Sequence, residues 1–332
     1  MTAWQIAALG ILLALLVFPC PDPPLPAWDE ELKTKTILVT GATSGIGRAL
    51  VARMHHHGVF VLAHGRSASK LAALRDELPG IQTVQADLTD FRDVARAADE
   101  LQNVTIDVLV NNAGYASAWD NDVDVFRVNY LAHVLLTEKL EPRKVVQVSS
   151  SAHMAVDGRD LWIQSDGESP LASQPTKGYG LWQGGQDYGN SKLAQIHHAV
   201  ALRLRKGIPA VSLCPGWVAT NVFAKNLYVA HWLAHAGRWA FDAKQFGLAS
   251  LQYALTHDDD DWIGTSRAFE LLPCDWTGWW RVAWTLLAAP AVVLLQKRLP
   301  HGLPQRAAPQ AYNETTALRL YDWSLRELKD YL

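Results

Sequence analysis

"TILVTGATSGIGRALVARMHHHGVFVLAHGRS", residues 36 to 67, predicts a strand, a glycine-rich turn, a helix and a second strand. "TILVT" is a short, β-branched apolar run of the kind found in buried parallel strands. The turn interrupts it before "IGRALVARM", whose apolar residues recur with helical periodicity. Because strand, turn and helix form the repeating unit of parallel sheets, this stretch indicates an α/β fold.

The glycines of the turn have the spacing of a dinucleotide-binding site. Gly41 allows a tight turn, Gly45 lets the backbone approach a pyrophosphate, and Gly47 allows the helix to pack closely on the strand. The positive end of the helix dipole then faces the phosphate charge. The turn residues predicted to contact the dinucleotide are Gly41, Thr43, Ser44, Gly45, Ile46 and Gly47.

The end of the second strand bears on which dinucleotide is bound. "VFVLAH", residues 59 to 64, is not followed by the Asp or Glu that would accept a hydrogen bond from the 2′-hydroxyl of NAD. Arg66 follows instead, and a guanidinium suits a 2′-phosphate, so we expect NADP(H) to be favoured over NAD(H). Arg48 either shares this role or is a solvated helix residue, in which case only Arg66 touches the phosphate.

Strands and helices continue to alternate along the chain. "IQTVQADL" (81 to 88) and "IDVLVNNAG" (106 to 114) predict strands, and "VDVFRVNYLAHVLLTEKL" (123 to 140) has helical periodicity. "KVVQVSSSAH" (144 to 153) predicts a strand that runs into a serine-rich loop, and a long helix is expected to begin at Tyr188. We therefore predict a single Rossmann-type domain with a doubly wound parallel sheet.

"YGNSK", residues 188 to 192, places a tyrosine and a lysine one helical turn apart on the same face. A free phenol has a pKa of about 10 and is a poor base at neutral pH. A nearby positive charge favours its phenolate form, so Tyr188 and Lys192 are candidates for proton transfer. Tyr179 has Gln183 four positions on and lies in a predicted Gly-rich loop, so it is at most a pocket residue.

Five ordered motifs resemble those of the short-chain dehydrogenase/reductase superfamily in its simple single-domain form. They are "TGATSGIG" (40 to 47), "NNAG" (111 to 114), a serine after the fifth strand, YxxxK, and "PGWVAT" (215 to 220). "SSSAH" (149 to 153), "YGNSKLAQ" and "LRLYDWSLREL" (318 to 328) resemble the branch that contains retinol dehydrogenases and WW-domain oxidoreductases.

The resemblance implies catalytic roles. Tyr188 would protonate a carbonyl oxygen during reduction, or accept the proton during alcohol oxidation. Lys192 would favour the phenolate and hold the ribose hydroxyls of the cofactor. Ser150 would hydrogen-bond the substrate oxygen, with Ser149 and Ser151 as close alternatives.

The resemblance also implies a proton relay and a cofactor site. Asn129 would hold a water next to the lysine. Asp87 would reach the adenine, and Thr220 would contact the nicotinamide carboxamide. Besides Arg66 and the glycine turn, the implied cofactor-binding residues are Asp87, Leu88, Asn112, Ala113, Gly114, Tyr188, Lys192, Pro215, Gly216, Val218 and Thr220. No metal is expected, because the nicotinamide carries the hydride.

The N-terminus predicts a membrane anchor over residues 1 to 20. The stretch from Ala3 to Phe18 has no charged side chain, and its extension to Cys20 approaches the roughly 20 residues that cross a bilayer. A cleaved signal peptide is the alternative, but the basic segment that should precede it and a clear cleavage site after it are missing.

The remaining boundaries follow from composition. We predict a Pro-rich linker at 21 to 35, the catalytic domain at 36 to 272, and a C-terminal extension at 273 to 332 that can contact the membrane. The aromatic-rich stretch 221 to 241 is either a lid over a lipophilic substrate or a helix that covers the sheet. Residues 282 to 295 predict a membrane-dipping hairpin or interfacial helix, with a buried helix as the alternative.

The composition of the chain indicates which kinds of partner it is expected to bind. Among 332 residues, Lys+Arg 30 against Asp+Glu 33 gives a net charge of −3, which disfavours nucleic acid. A hydrophobic content of 49% and 14 tryptophans suggest contact with lipid or lipophilic ligands. We expect association with the endoplasmic reticulum or another internal membrane, with the domain facing the cytosol. A homodimer is compatible with the sequence.

These observations predict an NADP(H)-dependent oxidoreductase that interconverts an alcohol and a carbonyl on a lipophilic substrate such as a retinoid, a steroid or another lipid. A reductase of small reactive carbonyls with broad specificity is the alternative within the enzymes. A non-catalytic dinucleotide-binding scaffold is the alternative outside them.

Overall fold

A computed structural model describes residues 28–116, 125–156, 158, 161, 180–215, 243–258, 262–264, 303–304 and 307–332. Its centre is a sheet with the order β3-β2-β1-β4-β5-β6-β7-β8. The strands are β1 (Thr36–Val39), β2 (Phe60–Gly65), β3 (Gln82–Gln85), β4 (Val108–Asn111), β5 (Lys144–Val148), β6 (Ala210–Leu213), β7 (Trp262–Gly264) and β8 (Leu303–Pro304). Strands β1 to β7 pair in parallel, and β8 is antiparallel to β7.

The described helices connect these strands. They are α1 (Gly45–His56), α2 (Ala68–Glu77), α3 (Phe91–Asp99), α4 (Ala132–Leu140), α5 (Gly180–Lys206), α6 (Ala243–Thr256) and α7 (Glu314–Glu327). Short 3-10 helices span Glu30–Thr34, Ser151–Ala155 and Pro309–Tyr312, and a π-helical turn, Arg127–Leu131, leads into α4. The α/β class and the doubly wound parallel sheet predicted from the sequence are therefore confirmed.

Apolar residues on both faces of the sheet explain this layering. Residues Ile37 to Val39 of β1 and all five residues of β5 are buried, as parallel strands covered on two sides must be. One hydrophobic cluster joins the sheet to α3, α4, α5 and α7. A second cluster joins its other face to α1, α2 and α6.

The strand order reverses direction between β1 and β4. Successive strands run outward from β1 through β2 to β3, and the chain then returns to place β4 on the other side of β1. Open α/β sheets bind their ligands in the crevice at such a switch point, beyond the carboxyl ends of the strands. Thr40 and Gly41 follow β1 at that edge, and Asn112 follows β4.

The structure differs from the sequence-based prediction at the start of α5. The helix begins at Gly180, eight residues before the predicted start at Tyr188. Glycine is a weak helix former, which is why the stretch before Tyr188 suggested a loop, but tertiary context overrides such propensities. Tyr188 therefore lies well inside a 27-residue helix.

The C-terminal helix is part of the domain core. Leu320 and Trp323 of α7 are buried in the cluster that contains α4 and α5. The Ser324 hydroxyl donates a hydrogen bond to the Tyr130 hydroxyl at 2.9 Å. At the other end of the described chain, Leu32 is buried although it falls in the predicted linker. Residues close to both ends therefore help to build the domain.

Two membrane predictions concern residues 1 to 20 and 282 to 295, which lie outside the described residues, as does the proposed lid at 221 to 241. Among the helices that the structure describes, none combines the length and the apolar character needed to cross a bilayer.

We predict that acid unfolds the protein through four buried histidines. Burial lowers the pKa of His64 and His197 to about 4 and that of His133 and His198 to about 3. Because the unfolded chain protonates these side chains near pH 6.5, it binds more protons than the folded state between about pH 6.5 and 4. The free energy of unfolding should fall as the pH falls through this window, by up to about 1.4 kcal/mol per proton and pH unit.

Chemical denaturation at a series of pH values measures this slope. His198→Asn should reduce the proton uptake on unfolding by about one. A free energy of unfolding that stays constant between these pH values would show that the four histidines are not held neutral by the fold.

Candidate active site

The turn after β1 has the geometry that a dinucleotide requires. Gly41 and Gly45 have φ values of 68° and 56°, a left-handed conformation that favours glycine. A Cβ atom on Gly41 would lie 2.9 Å from Ala113 Cα, and one on Gly47 would lie 2.6 Å from the Gly41 carbonyl oxygen. Ser44 precedes α1 without capping it through its side chain, which leaves the helix N-terminus open to an anion.

Thr40 holds the ends of β1 and β4 together. Its hydroxyl oxygen accepts hydrogen bonds of 2.9 Å from the backbone N–H groups of Asn112 and Ala113. The Asn112 side-chain amide donates to the Thr40 carbonyl oxygen at 2.8 Å. The side chain predicted to line the adenosine site therefore also fixes the position of the glycine turn against the next strand.

His64 supports the same turn from β2. Its Nε2 atom lies 3.1 Å from the Ala86 carbonyl oxygen, and the Gly41 N–H lies 3.4 Å from its Nδ1 atom. This places the proton on Nε2 and leaves Nδ1 as the acceptor. Burial lowers the pKa of His64 to about 4, which maintains this neutral form.

Arg48 and Arg66 are the two predicted partners of the 2′-phosphate, and the structure places them differently. The Arg48 guanidinium pairs with Glu77 of α2. Arg66 follows β2 with 64% of its side chain exposed, and its Nη1 atom lies 3.8 Å from Asp87 Oδ2. Asp87 also accepts a hydrogen bond from the Thr89 hydroxyl at 2.8 Å. Arg66 is thus the more loosely held of the two arginines.

Ser150, Tyr188 and Lys192 converge beyond β5. A hydrogen bond joins the side chains of Ser150 and Tyr188. The Lys192 Nζ atom lies 5.5 Å from the centre of the Tyr188 ring. Burial raises the pKa of Tyr188, and the bond to Ser150 partly offsets this by lowering it. The structure therefore brings three of the four predicted catalytic side chains together.

Lys192 is buried between carbonyl oxygens. Its ammonium donates to the Val148 carbonyl oxygen at 2.9 Å and to Gln195 Oε1 at 3.0 Å. Desolvation lowers the pKa of Lys192 to about 7, because burial disfavours the charged form. A Cβ atom on Gly114 would lie 3.3 Å from Nζ, so the lysine faces the loop that follows β4.

Asn129, the fourth predicted catalytic residue, lies in the π-helical turn before α4. Its Oδ1 atom accepts from the Tyr115 N–H at 2.8 Å, and its Nδ2 group donates to the Tyr115 carbonyl at 2.9 Å and to Ser191 Oγ at 3.0 Å. The side chain thus connects the loop after β4 to the residue beside Lys192. Its backbone carbonyl lies 2.9 Å from His133 Nδ1.

The hydrogen bonds of the serine loop distinguish its three serines. The Ser149 hydroxyl is buried and donates to the Lys192 carbonyl oxygen at 2.6 Å. The Ser151 N–H donates to Cys214 Sγ at 3.2 Å. The Ser150 hydroxyl faces Tyr188. The Ser149 hydroxyl is thus engaged with α5, and Ser150 has the geometry for contact with a substrate oxygen beside Tyr188.

The remaining residues predicted to bind the cofactor lie in several parts of the chain, and the structure describes only some of them. Ile46 and Leu88 are buried, and Pro215 follows β6 at the carboxyl edge of the sheet. Gly216, Val218 and Thr220 lie outside the described residues. In the part of the chain that the structure describes, no group of three or more His, Cys, Asp and Glu side chains is arranged to hold a metal ion.

Sequence reasoning missed several polar residues that build the site. Gln195, three positions after Lys192 on the same helix face, could have been found from its spacing. His133 bridges Thr40 Oγ1 at 3.2 Å and the Asn129 carbonyl, and no local pattern marks it. The sequence predicts only a strand position for His64, because its partners Gly41 and Ala86 are distant in sequence.

The chain is similar to known oxidoreductases. Residues 35–157 match the short chain dehydrogenase family. The short-chain dehydrogenase/reductase drtF of Aspergillus calidoustus is 31% identical in an alignment 227 positions long, which covers 60% of this chain and 72% of that protein. The WW domain-containing oxidoreductase of Drosophila melanogaster is 29% identical in an alignment 222 positions long, which covers 60% of this chain and 53% of that protein.

The fold has relatives among solved structures as well. The crystal structure of an uncharacterized protein from Mycobacterium paratuberculosis superposes with a TM-score of 0.62 and 23% identity, covering 92% of this chain and 96% of the other. The family match, the curated relatives and the geometry of the glycine turn and Tyr188 all agree. This chain therefore belongs to the short-chain dehydrogenase/reductase family. It is an oxidoreductase of that family.

We predict that Gly41→Ala abolishes tight dinucleotide binding, whereas Gly207→Ala does not. Both glycines have similar left-handed φ values, 68° and 63°, so alanine carries a similar conformational cost of about 1 to 2 kcal/mol at each. Only at Gly41 would the new Cβ meet backbone, at 2.9 Å, whereas nothing lies within 4 Å of a Cβ on Gly207.

Dissociation constants from titration calorimetry, with the free energy of unfolding of each variant, separate the two effects. Gly41→Ala should raise the dissociation constant by more than about tenfold, which is about 1.4 kcal/mol. Equal dinucleotide affinity in the two variants would contradict the role given to the turn.

Proposed function

We propose that this protein interconverts an alcohol and a carbonyl on a lipophilic substrate, using NADP(H) and Tyr188 as the proton donor or acceptor. The observation that carries the proposal is the hydrogen bond between Ser150 and Tyr188 with the Lys192 ammonium beside the phenol ring. A protein that only bound a dinucleotide would not need these three side chains together.

The residues of the chain fit a dinucleotide cofactor. The open N-terminus of α1 and the close approach of Gly41 and Gly47 to neighbouring backbone suit a pyrophosphate. The nicotinamide, when bound, supplies or accepts the hydride. Lys192 and Gly114 would then lie on the side of the site that receives the ribose.

The proton chemistry follows from the environment of Tyr188. Because burial raises its pKa, the phenol stays protonated at neutral pH and can donate its Oη proton to a carbonyl oxygen that becomes an alkoxide. Ser150 donates a hydrogen bond to the same oxygen and orients it. In alcohol oxidation, a positive charge on Lys192 favours the phenolate that accepts the proton. With a pKa of about 7, Lys192 changes its charge in the neutral range.

The preference for NADP(H) is supported by Arg66. Its exposed guanidinium, held only loosely by Asp87, is free to turn toward a 2′-phosphate at the end of β2. Arg48 is held by Glu77, which favours the alternative in which Arg66 alone contacts the phosphate.

Lipophilic substrates and membrane attachment are supported by composition. The uncharged stretch from Ala3 to Phe18 and the 14 tryptophans suit a protein that acts at an internal membrane, with its domain in the cytosol. A lipid-soluble alcohol or carbonyl, such as a retinoid or a steroid, would reach the site from the bilayer. A homodimer is compatible with this arrangement.

Tyr188→Phe should abolish turnover while largely preserving dinucleotide binding, because it removes only the transferable proton. A loss of at least about 100-fold in kcat is expected for a missing general acid. Lys192→Ala should impair both turnover and dinucleotide binding. NADPH and NADH consumption with retinoid, steroid, aliphatic and small reactive carbonyls, in membrane and soluble fractions, provides the measurement.

Each outcome separates the alternatives. Faster turnover of small reactive carbonyls than of any lipid would favour the reductase of broad specificity. Dinucleotide binding without turnover, unchanged by Tyr188→Phe, would favour the non-catalytic scaffold. Activity confined to the soluble fraction would contradict membrane attachment.

Arg66→Ala should weaken NADPH binding and leave NADH binding nearly unchanged. The lost charge-assisted bonds to the 2′-phosphate are worth about 1.5 to 3 kcal/mol, which corresponds to about 10- to 100-fold in the dissociation constant. Arg48→Ala is the matched control, because its guanidinium pairs with Glu77. Tighter binding of NADH than of NADPH by the unsubstituted protein would overturn the preference.

A further inference from the structure

His153, three residues after Ser150, connects the serine loop to the C-terminal part of the chain. Its side chain is completely buried. The Nδ1 atom lies 2.7 Å from the Ser150 carbonyl oxygen, and the Ala308 N–H donates to Nε2 at 3.1 Å. One imidazole ring thus bridges two segments that are 155 residues apart in sequence.

The two contacts define the tautomer. A backbone N–H can only donate, so Nε2 must offer its lone pair to Ala308. A carbonyl oxygen can only accept, so Nδ1 must carry the proton that bonds to Ser150. The ring is therefore neutral, and each of its nitrogens has a single role that the other nitrogen cannot replace.

The loop that carries His153 is held on two further sides. The Gln310 side-chain amide donates to the Val156 carbonyl oxygen at 2.6 Å. Opposite, α5 approaches so closely that a Cβ atom on Gly189 would lie 2.7 Å from Val156 Cγ1 and 3.0 Å from the Ala152 carbonyl oxygen. Gly189 is the residue that follows Tyr188. The loop is therefore clamped between the helix that carries the tyrosine and the segment 307–312.

We propose that His153 is a positioning residue for Ser150, and that the segment 307–312 is the fixed support against which it acts. The Nδ1–H group holds the Ser150 carbonyl together with the His153 backbone N–H, and this determines where the Ser150 hydroxyl lies relative to Tyr188. The C-terminal segment thereby contributes to catalysis without touching the substrate. This inference rests on the proposed function, because it assigns Ser150 a role in turnover.

Two substitutions of His153 each retain a different one of the two hydrogen bonds that its ring makes. In His153→Asn, the side-chain amide can occupy the place of Nδ1 and donate to the Ser150 carbonyl, but it cannot reach the Ala308 N–H. In His153→Gln, the amide oxygen can occupy the place of Nε2 and accept from Ala308, but the side chain no longer donates to the Ser150 carbonyl, which keeps only the backbone N–H of residue 153 at 3.1 Å. Both variants lose one buried hydrogen bond, so both should lose stability.

Turnover should slow only when the side chain at position 153 no longer donates to the Ser150 carbonyl oxygen. We expect kcat to fall about 10- to 100-fold in His153→Gln, as for a displaced catalytic group, and to fall much less in His153→Asn. The dissociation constant for NADPH should remain unchanged in both variants, because His153 touches no part of the dinucleotide turn. His198→Asn is the control, because this buried histidine contacts Gln147 and not the serine loop; it should lower stability and leave kcat unchanged.

Hydrogen exchange gives a readout that does not depend on activity. Amides of residues 150–156 should exchange faster in His153→Gln than in His153→Asn. If the unsubstituted protein turns over no carbonyl, the proposed function fails while this difference still tests the positioning of Ser150. Equal kcat in the two variants of an active enzyme, or equal exchange in the loop, would overturn the inference.

Discussion

The hydrogen bonds accepted by the Thr40 hydroxyl are the constraint on which the site depends. One oxygen atom at the end of β1 receives the N–H groups of Asn112 and Ala113, which follow β4. The topology alone brings these two strand ends to one edge of the sheet, but it does not fix them at hydrogen-bonding distance. With this contact made, the glycine turn and the loop after β4, which Lys192 faces, form two walls of a single crevice.

A second constraint is the low polarity around the proton-transfer residues. Burial acts in opposite directions on the two side chains: it raises the pKa of Tyr188 and lowers that of Lys192 to about 7. The tyrosine therefore keeps a proton that it can donate, and the lysine can change its charge near neutral pH. Neutral carbonyl and amide oxygens, from Val148 and Gln195, orient the ammonium without neutralising it.

Much of the fold could be predicted because its determinants are local. The apolar run of β1, the glycines at 41, 45 and 47, and the one-turn spacing of Tyr188 and Lys192 each have a meaning that does not depend on the rest of the chain. These residues mark strand ends, and parallel strands place their ends together.

The features of the fold and the site that could not be predicted depend on contacts between segments that are distant in sequence. Nothing near Ser149 indicates that its hydroxyl binds the Lys192 carbonyl, and nothing near Arg48 indicates its pairing with Glu77. The same holds for α7, whose buried Trp323 joins the core although the sequence suggested an extension. Periodicity shows that a helix has an apolar face, but it does not show which surface that face covers.

The position of α7 has a consequence for synthesis of the protein. The bond between Tyr130 and Ser324 joins residues that are 194 positions apart. On the ribosome, the first six strands emerge long before α7 exists, so the outer faces of α4 and α5 remain uncovered while translation continues. This half of the domain can complete its packing only after α7 has left the exit tunnel, and until then its exposed apolar surface is a substrate for chaperones.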